Sequence, residues 1–146
     1  MRVMHVLVLL GTLASPSIGA EPVPAKHPFT VDDMWAVKRV GAPVVSPDGS
    51  LVAYTVSTWD AEENRSNADI WVIPVAGGPA RRLTTSKASD TSVAFSPDVK
   101  RIAFVSKRES DAVAQVYVLS LGGGEAERIT ERPTAVSNPK WIGDGR

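Results

Sequence analysis

The stretch VVSPDGSLVAY, residues 44–54, returns as a near copy, AFSPDVKRIAF, at residues 94–104. In both copies apolar residues lead into Ser-Pro-Asp, and a second apolar run follows. Proline presets φ for a tight turn, and Gly49 tolerates the positive φ that such a turn often needs. Each copy therefore predicts a β-hairpin with an explicit turn. Val99 stands where the first copy has glycine, which indicates a different turn in the second hairpin.

Two further predicted strands follow each hairpin in the same order. DIWVIPV at 69–75 is matched by QVYVLSL at 115–121, and ARRLTT at 80–85 is matched by GGGEAERIT at 122–130. The hairpins repeat after 50 residues and these later strands after 46, so the loop between the second and third strands differs by four residues. A third copy begins with PKWIGDGR at 139–146. This period, with four strands per unit, is typical of β-propeller blades.

The sequence thus predicts an all-β fold, an incomplete β-propeller of two four-stranded blades plus the start of a third, preceded by one short helix. The predicted divisions are a signal peptide at 1–20, a proline-rich lead-in at 21–29, a short helix at 30–40, blade 1 at 41–86, blade 2 at 87–132 and the truncated start of blade 3 at 133–146. Blades bury their faces only against neighbours, and closure takes about four to eight of them. Residues 21–146 alone are therefore expected to fold poorly or to self-associate.

The helix is predicted from FTVDDMWAVKRV at 29–40. Thr30 can cap its start, and Asp33 stands where the carboxylate of a capping box reaches back. Phe29 and Met34 occupy the positions of a hydrophobic staple. Two basic residues follow near the expected C-terminus, where positive charge suits the helix dipole. We expect the helix to run from 31 to about 39.

The first twenty residues have the layout of a secretory signal peptide. A positive start precedes the apolar run VMHVLVLLGTLA at 3–14, and small residues end at Ala20. The run is shorter than the roughly 20 apolar residues that span a bilayer. No stable membrane anchor is therefore expected after cleavage, and the protein is expected to be periplasmic or secreted. The sequence contains no cysteine, so it can form neither a lipoprotein anchor nor disulfides.

The charge balance argues against nucleic acid as a partner. Lys plus Arg and Asp plus Glu both number 16, giving a formal net charge of zero. Phosphate binding needs an excess of basic residues that this chain lacks. The hydrophobic fraction of 43% and the charged fraction of 22% are those of a folded globular protein.

No catalytic, cofactor-binding or metal-binding residue is predicted. A Ser-His-Asp triad needs a histidine beside the serine, but His5 lies in the predicted signal peptide and His27 in the lead-in. No Gly-x-Ser-x-Gly sequence is present. The acidic stretch DAEEN at 60–64 lacks EF-hand spacing and is expected to be a solvated loop. The glycines at 77–78 and 122–124 follow predicted strands and are expected to form turns.

The four tryptophans raise the question of a ligand-binding surface. Trp59 lies in the longer loop, where functional residues concentrate, and is the one candidate for a ligand contact. The other three stand in the helix or at repeat-equivalent positions and are expected in the core, namely Trp35, Trp71 and Trp141.

The order of these elements resembles the start of an exported serine peptidase of the prolyl oligopeptidase family, in its dipeptidyl-peptidase-like and acylaminoacyl-peptidase-like subgroup. The resemblance covers about 28–146 and rests on FTVDDMWAVKRVGAPVVSPDGSLVAYTVS at 29–57, NADIWVIPVAGGPARRLTT at 67–85 and FSPDVKRIAFVSKR at 95–108. It implies a propeller that restricts entry to short or unstructured peptides. The serine, aspartate and histidine of that family lie in a C-terminal α/β-hydrolase domain, so none of them can be assigned here.

Two readings follow for the function. In the first, the chain is the N-terminal fragment of such a peptidase, inactive alone, with peptide substrates and a hydrolase domain in cis as its partners. In the second, it belongs to a non-enzymatic, TolB-like periplasmic propeller that binds other proteins. The helix directly before the first repeat favours the peptidase. A two-blade miniprotein is a third option, which would expose strand edges unless several copies assembled.

Overall fold

The computed structural model describes residues 26–108 and 110–143. The predicted signal peptide at 1–20 lies outside this part. The described residues form one helix and nine strands, which in chain order are α1 Val31–Ala36, β1 Arg39–Val40, β2 Val44–Val45, β3 Leu51–Asp60, β4 Arg65–Pro74, β5 Arg81–Arg82, β6 Asp90–Phe95, β7 Arg101–Ser106, β8 Gln115–Ser120 and β9 Glu127–Arg128.

The strands form two antiparallel sheets. In the first, β1 and β2 both pair with β3 as two segments of one edge, followed by β4 and β5. In the second, the order is β6-β7-β8-β9. We call these sheets blade 1 and blade 2. Because β1 and β2 share one edge position, each sheet is four strands wide. The two sheets and the one short helix confirm the predicted all-β fold. The described part of the third repeat, residues 133–143, forms no strand.

The Ser-Pro-Asp-Gly turn of blade 1 is held by hydrogen bonds of its own side chains. The Ser46 hydroxyl donates to Asp48 Oδ1 at 2.6 Å and accepts from the Leu51 N–H at 2.9 Å. Asp48 Oδ1 also accepts from the Ser50 N–H at 3.0 Å. The Gly49 N–H donates to the Ser46 carbonyl at 2.9 Å, with a left-handed φ of 72° at the glycine. The side chains of Ser46 and Asp48 therefore close the turn.

Blade 2 repeats this turn, although it has valine in place of glycine. Ser96 donates to Asp98 Oδ1 at 2.6 Å and accepts from the Arg101 N–H at 2.9 Å. The Val99 N–H donates to the Ser96 carbonyl at 3.0 Å, with φ of 54°. The different turn expected from Val99 is therefore wrong. The hydrogen bonds, together with the packing of the valine against the core, hold it in a conformation that costs about 1–2 kcal/mol.

Gly49→Ala is expected to lower the free energy of unfolding by about 1 kcal/mol. A Cβ at Gly49 would meet no atom within 4 Å, so the loss reports the left-handed backbone alone. The matched control is Gly122→Ala, at a turn glycine whose φ is not left-handed, which should change stability much less. Urea unfolding followed by tryptophan fluorescence measures both. Equal losses in the two variants would contradict this account of the turn.

The core lies between the two blades. Ile70, Ile102 and Phe104 are among its fully buried side chains. Blade 1 and blade 2 together contribute the buried cluster Ala53, Ile70, Val72, Phe95, Ile102, Phe104, Tyr117 and Leu119. Because side chains alternate along a strand, each blade places only one of its faces in this contact. The other face of blade 1 has no blade against it in the described part of the chain.

Helix α1 begins as predicted. The Thr30 N–H donates to Asp33 Oδ2 at 2.7 Å, and the Asp33 N–H donates to Thr30 Oγ1 at 3.2 Å, which is the predicted capping box. The residues of the expected hydrophobic staple, Phe29 and Met34, are both exposed. With six residues, α1 cannot span a bilayer, and no other helix is found in 26–108 and 110–143.

The predicted end of the helix is wrong. The helix ends at Ala36. The sequence predicted that it would continue to about 39, within a helical segment at 30–40. Arg39 and Val40 instead pair with Ser57 and Val56 of β3. Backbone hydrogen bonding to a neighbouring strand outweighs the local helix signals, so the first blade starts two residues before the predicted boundary.

Candidate functional site

Two connections and the start of one strand meet at one end of the molecule, which we call the loop end. The start of β4, the β5–β6 connection and the β7–β8 connection surround an open depression of about 570 Å³. Four cationic side chains line it, namely Arg65, Lys87, Lys107 and Arg108. Polar groups from several loops come together at this depression.

Two of the four cations are already engaged. Arg65 Nη1 donates to the Lys87 carbonyl at 3.2 Å, and Arg108 Nη2 lies 3.3 Å from Asp90 Oδ1. Lys87 and Lys107 form no ion pair within the described residues. The depression can therefore offer ammonium groups to a carboxylate or another anion, with the arginines fixing the loops around it.

Asp90 and Asp69 are buried carboxyl groups, and Asp90 pairs with Arg108, which lines this depression. Asp90 is fully buried, and burial raises its pKa, opposed in part by the positive charge of Arg108. Burial also raises the pKa of Asp69, which accepts a hydrogen bond from Arg82 Nη2 at 2.7 Å. Each carboxyl group thus has an arginine partner. The Asp90–Arg108 pair ties the start of β6 to the β7–β8 connection, and the Asp69–Arg82 pair ties β4 to β5.

A second network is centred on Asp111. Its buried carboxylate accepts from Tyr117 Oη at 2.6 Å, from Arg128 Nη1 at 2.9 Å and from the Arg108 N–H at 3.0 Å. Burial acts to raise the pKa of Asp111, but the hydrogen bonds outweigh it and the pKa is lowered. Burial, and then Asp111, raise the pKa of Tyr117 to about 12. The tyrosine is therefore neutral near pH 7 and holds the β7–β8 connection in place.

No nucleophile–base pair is found within 26–108 and 110–143. The one histidine there is His27, whose Nδ1 lies 2.9 Å from the Pro28 carbonyl oxygen and 3.6 Å from Asp33. It belongs to the N-terminal lead-in, and no serine or threonine hydroxyl contacts it.

The acidic stretch at 60–64 forms a turn. Asp60 Oδ1 accepts hydrogen bonds from the N–H groups of Glu62 and Glu63, both at 3.0 Å. Asn64 adopts a left-handed φ of 49° to complete the reversal between β3 and β4. In the part of the chain that the structure describes, no three His, Cys, Asp or Glu side chains are grouped to hold a metal ion.

The tryptophans are distributed differently from the expectation. Trp59 stacks on Trp35, with ring centroids 5.0 Å apart and an interplanar angle of 28°. Trp35 is 40% exposed, so its predicted place in the core is wrong. Trp141 Nε1 donates to the Ala94 carbonyl at 3.0 Å and its ring faces Arg101. Trp71 is half-buried on blade 1.

The ion pairs of the loop end were not found from the sequence. Asp90 and Arg108 are 18 residues apart, and Asp111 and Arg128 are 17 apart, without a motif that links them. One signal was present in the repeat, since Arg82 and Arg128 are separated by the 46-residue period. Both arginines pair with a buried aspartate in the structure.

Comparisons with known proteins agree with this fold. The family model of PD40, the TolB beta propeller domain, matches residues 35–146. The uncharacterized peptidase YuxL of Bacillus subtilis is 38% identical over 120 residues, which is 82% of this chain and 18% of YuxL. The chain spans less than a fifth of the length of the curated relatives it matches.

Solved structures give the same result. An acylaminoacyl peptidase of Pyrococcus horikoshii is similar with a TM-score of 0.61 and 26% identity, over 77% of this chain and 17% of that chain. TolB of Acinetobacter baumannii is similar with a TM-score of 0.59 and 28% identity, over 72% of this chain and 24% of that chain. This chain belongs to the PD40 family of TolB beta propeller domains, and its relatives include peptidases that carry such propellers.

Proposed function

We propose that this chain is the N-terminal propeller part of an exported serine peptidase, where it gates the access of peptides to a C-terminal α/β-hydrolase domain. The observation that carries the proposal is the similarity to the peptidase YuxL, at 38% identity across 82% of this chain. The structural similarity to an acylaminoacyl peptidase, with a TM-score of 0.61, supports it. Peptide substrates and the hydrolase domain in cis are the proposed partners.

In this proposal the chain limits which peptides reach the hydrolase domain and takes no part in the cleavage reaction. The described residues hold no histidine-activated hydroxyl, whereas both blades are fixed by a shared apolar core and by ion pairs at the loop end. A rigid wall of this kind can select substrates by size. Two loop-end lysines, Lys87 and Lys107, can attract the carboxylate of a short peptide.

Export is proposed from the N-terminal pattern of residues 1–20. The periplasm or the medium is then the proposed location. N-terminal sequencing of the mature protein from a cell fraction tests this, with Glu21 as the expected first residue. Recovery from the cytoplasm with residues 1–20 still attached would contradict export.

A TolB-like, non-enzymatic propeller that binds other proteins is the second candidate. The family match and the similarity to TolB of Acinetobacter baumannii, at 28% identity, favour it. The two candidates differ in whether the complete gene product carries a reactive serine.

To test the proposal, the complete open reading frame that contains this chain is expressed, and the product is treated with a serine-directed fluorophosphonate. The product is also given short peptides, blocked and unblocked at the N-terminus, and a large folded protein that contains the same peptide sequence. Covalent labelling and cleavage of the short peptides only are expected. Labelling with equal cleavage of the folded protein would refute gating. Absence of labelling, together with capture of protein partners, would favour the TolB-like reading.

A further inference from the structure

The four cations of the loop-end depression differ in whether a carboxylate already neutralises them. Both arginines have an ion-pair partner, which is Glu63 for Arg65 and the buried Asp90 for Arg108. The two lysines of the depression are exposed, and they form no ion pair and no side-chain hydrogen bond in the part of the chain that the structure describes. The described residues around the depression therefore leave two positive charges without a carboxylate partner.

The first of these lysines, Lys87, stands on a connection whose main chain is fixed. The Lys87 carbonyl accepts a hydrogen bond from Arg65 Nη1 at 3.2 Å, and the Ser86 carbonyl accepts one from Asn67 Nδ2 at 2.8 Å. The Ala88 N–H donates to Ser86 Oγ at 3.1 Å. Side chains of β4 therefore hold the main chain of the β5–β6 connection, while the ammonium group of the lysine stays exposed.

The second lysine, Lys107, is presented in a similar way by blade 2. It directly follows β7 and precedes Arg108, whose N–H donates to Asp111 Oδ2 at 3.0 Å and whose Nη2 lies 3.3 Å from Asp90 Oδ1. Both of these carboxylates are buried, so they anchor the start of the β7–β8 connection. Two ammonium groups on two fixed connections thus line the same depression.

This arrangement favours carboxylates over neutral or cationic groups. A lysine ammonium group is a compact positive charge with three hydrogen-bond donors and no acceptor. A single exposed ion pair is weak, because water and salt screen it. Two ammonium groups at one depression act on the same ligand, and their connections need no further ordering when it binds. The same charges repel a cationic peptide, which adds to the discrimination.

We propose that Lys87 and Lys107 form a carboxylate-binding subsite, so that the complete protein favours short peptides with acidic side chains or a free C-terminal carboxylate. This inference rests on the proposed peptidase function and adds a substrate class to it. The charge of a peptide, in addition to its size, then decides how well it is held. Neither lysine touches a reacting atom in this proposal, so the effect falls on KM and leaves kcat unchanged.

The test uses the product of the complete open reading frame and four peptides of equal length. The reference peptide contains two glutamines and ends in an amide; the others have two glutamates, two lysines, or the two glutamines with a free carboxylate. At low salt, kcat/KM for the glutamate peptide should exceed that for the reference about fivefold, through KM. Added salt should shrink this difference, and the lysine peptide should be the poorest substrate. The larger gain, with glutamates or with the free C-terminus, identifies which carboxylate is preferred.

Two double variants separate the subsite from a general effect of charge. Lys87→Gln combined with Lys107→Gln should abolish the preference for carboxylates and leave kcat on the reference peptide unchanged. The matched control combines Lys100→Gln with Lys140→Gln, which removes two charges from exposed lysines outside the depression. Lys100 lies in the β6–β7 turn, at the opposite end of β7 from the loop end. The control variant should keep the preference of the wild type.

The remaining outcomes distinguish this inference from the peptidase proposal. Fluorophosphonate labelling with equal kcat/KM for the glutamate and reference peptides would overturn the subsite and leave the peptidase proposal standing. An equal loss on all four peptides in the loop-end variant would also overturn it, because the lysines would then be holding another part of the protein. If no serine is labelled, the peptidase proposal fails and isothermal titration with the same peptides decides the subsite. Tighter binding of the glutamate peptide, lost in the loop-end variant, would support the subsite, and equal binding would overturn it.

Discussion

Phe104→Ala is expected to lower the free energy of unfolding by about 3–5 kcal/mol. Its side chain is fully buried between the blades, and its ring stacks on Tyr117 with centroids 6.0 Å apart. Removing it leaves a cavity lined by both sheets, so the contact that joins the blades weakens. Because whole domains have only about 5–15 kcal/mol of stability, a large part of the folded population should be lost. Urea unfolding followed by tryptophan fluorescence and circular dichroism measures the change.

Tyr54→Ala is the matched control, because Tyr54 occupies the same position in blade 1. Its side chain is only half-buried and has no blade against it within the described residues. In dilute solution the loss should be about 1–2 kcal/mol, since less apolar area returns to water. A loss as large as that of Phe104→Ala would show that the two blade faces are equally packed and would contradict the structure.

Asp111→Asn is expected to lower the free energy of unfolding by about 2–3 kcal/mol at pH 7. The substitution keeps the shape of the side chain but removes the charge that receives hydrogen bonds from Tyr117 and Arg128. The NH2 group of the asparagine would also face Tyr117 or Arg128, which are hydrogen-bond donors themselves. One buried polar group would therefore be left without a hydrogen-bond partner. Urea unfolding at pH 7 measures the loss.

The effect of Asp111→Asn should depend on pH in a defined direction. The folded pKa of Asp111 lies below its ordinary value of 3.8, so the carboxylate stabilises the fold fully above that value. Its contribution is lost as the pH falls through the lowered folded pKa. The difference between wild type and Asp111→Asn should therefore shrink in acid. Tyr117→Phe, which removes one hydrogen bond, should cost about 1 kcal/mol and leave most of this pH dependence in place. A difference that stays constant in acid would contradict the role of the charge.

Much of each blade was predictable because its determinants are local. Pro47 and Pro97 mark the turns, and the serine and aspartate beside each proline make the hydrogen bonds that close them. Strand order followed from the repeat, since consecutive strands pair with their neighbours. Local reasoning failed at Val99, where the hydrogen bonds of the turn impose a backbone conformation that valine alone disfavours.

The features of the loop end depend on residues that are distant in the sequence. Asp90 meets Arg108, and Asp111 meets both Tyr117 and Arg128, only after the sheets have brought the β7–β8 connection close to β6 and β9. Charged residues in loops are common on protein surfaces, so their composition gave no reason to expect burial. The pairing became visible only with the sheets in place.

By itself, the sequence determined the repeat, the turn at each hairpin and the all-β class, because a tight turn and an alternating strand are encoded in a few adjacent residues. The tertiary structure decided which face of each blade is buried. Tyr54 and Phe104 have similar chemistry and equivalent positions, yet Phe104 is buried and Tyr54 is not. The tertiary structure also ended α1 at Ala36, since pairing with β3 outweighs helix propensity. Burial depends on a neighbour, and a local pattern does not specify whether one is present.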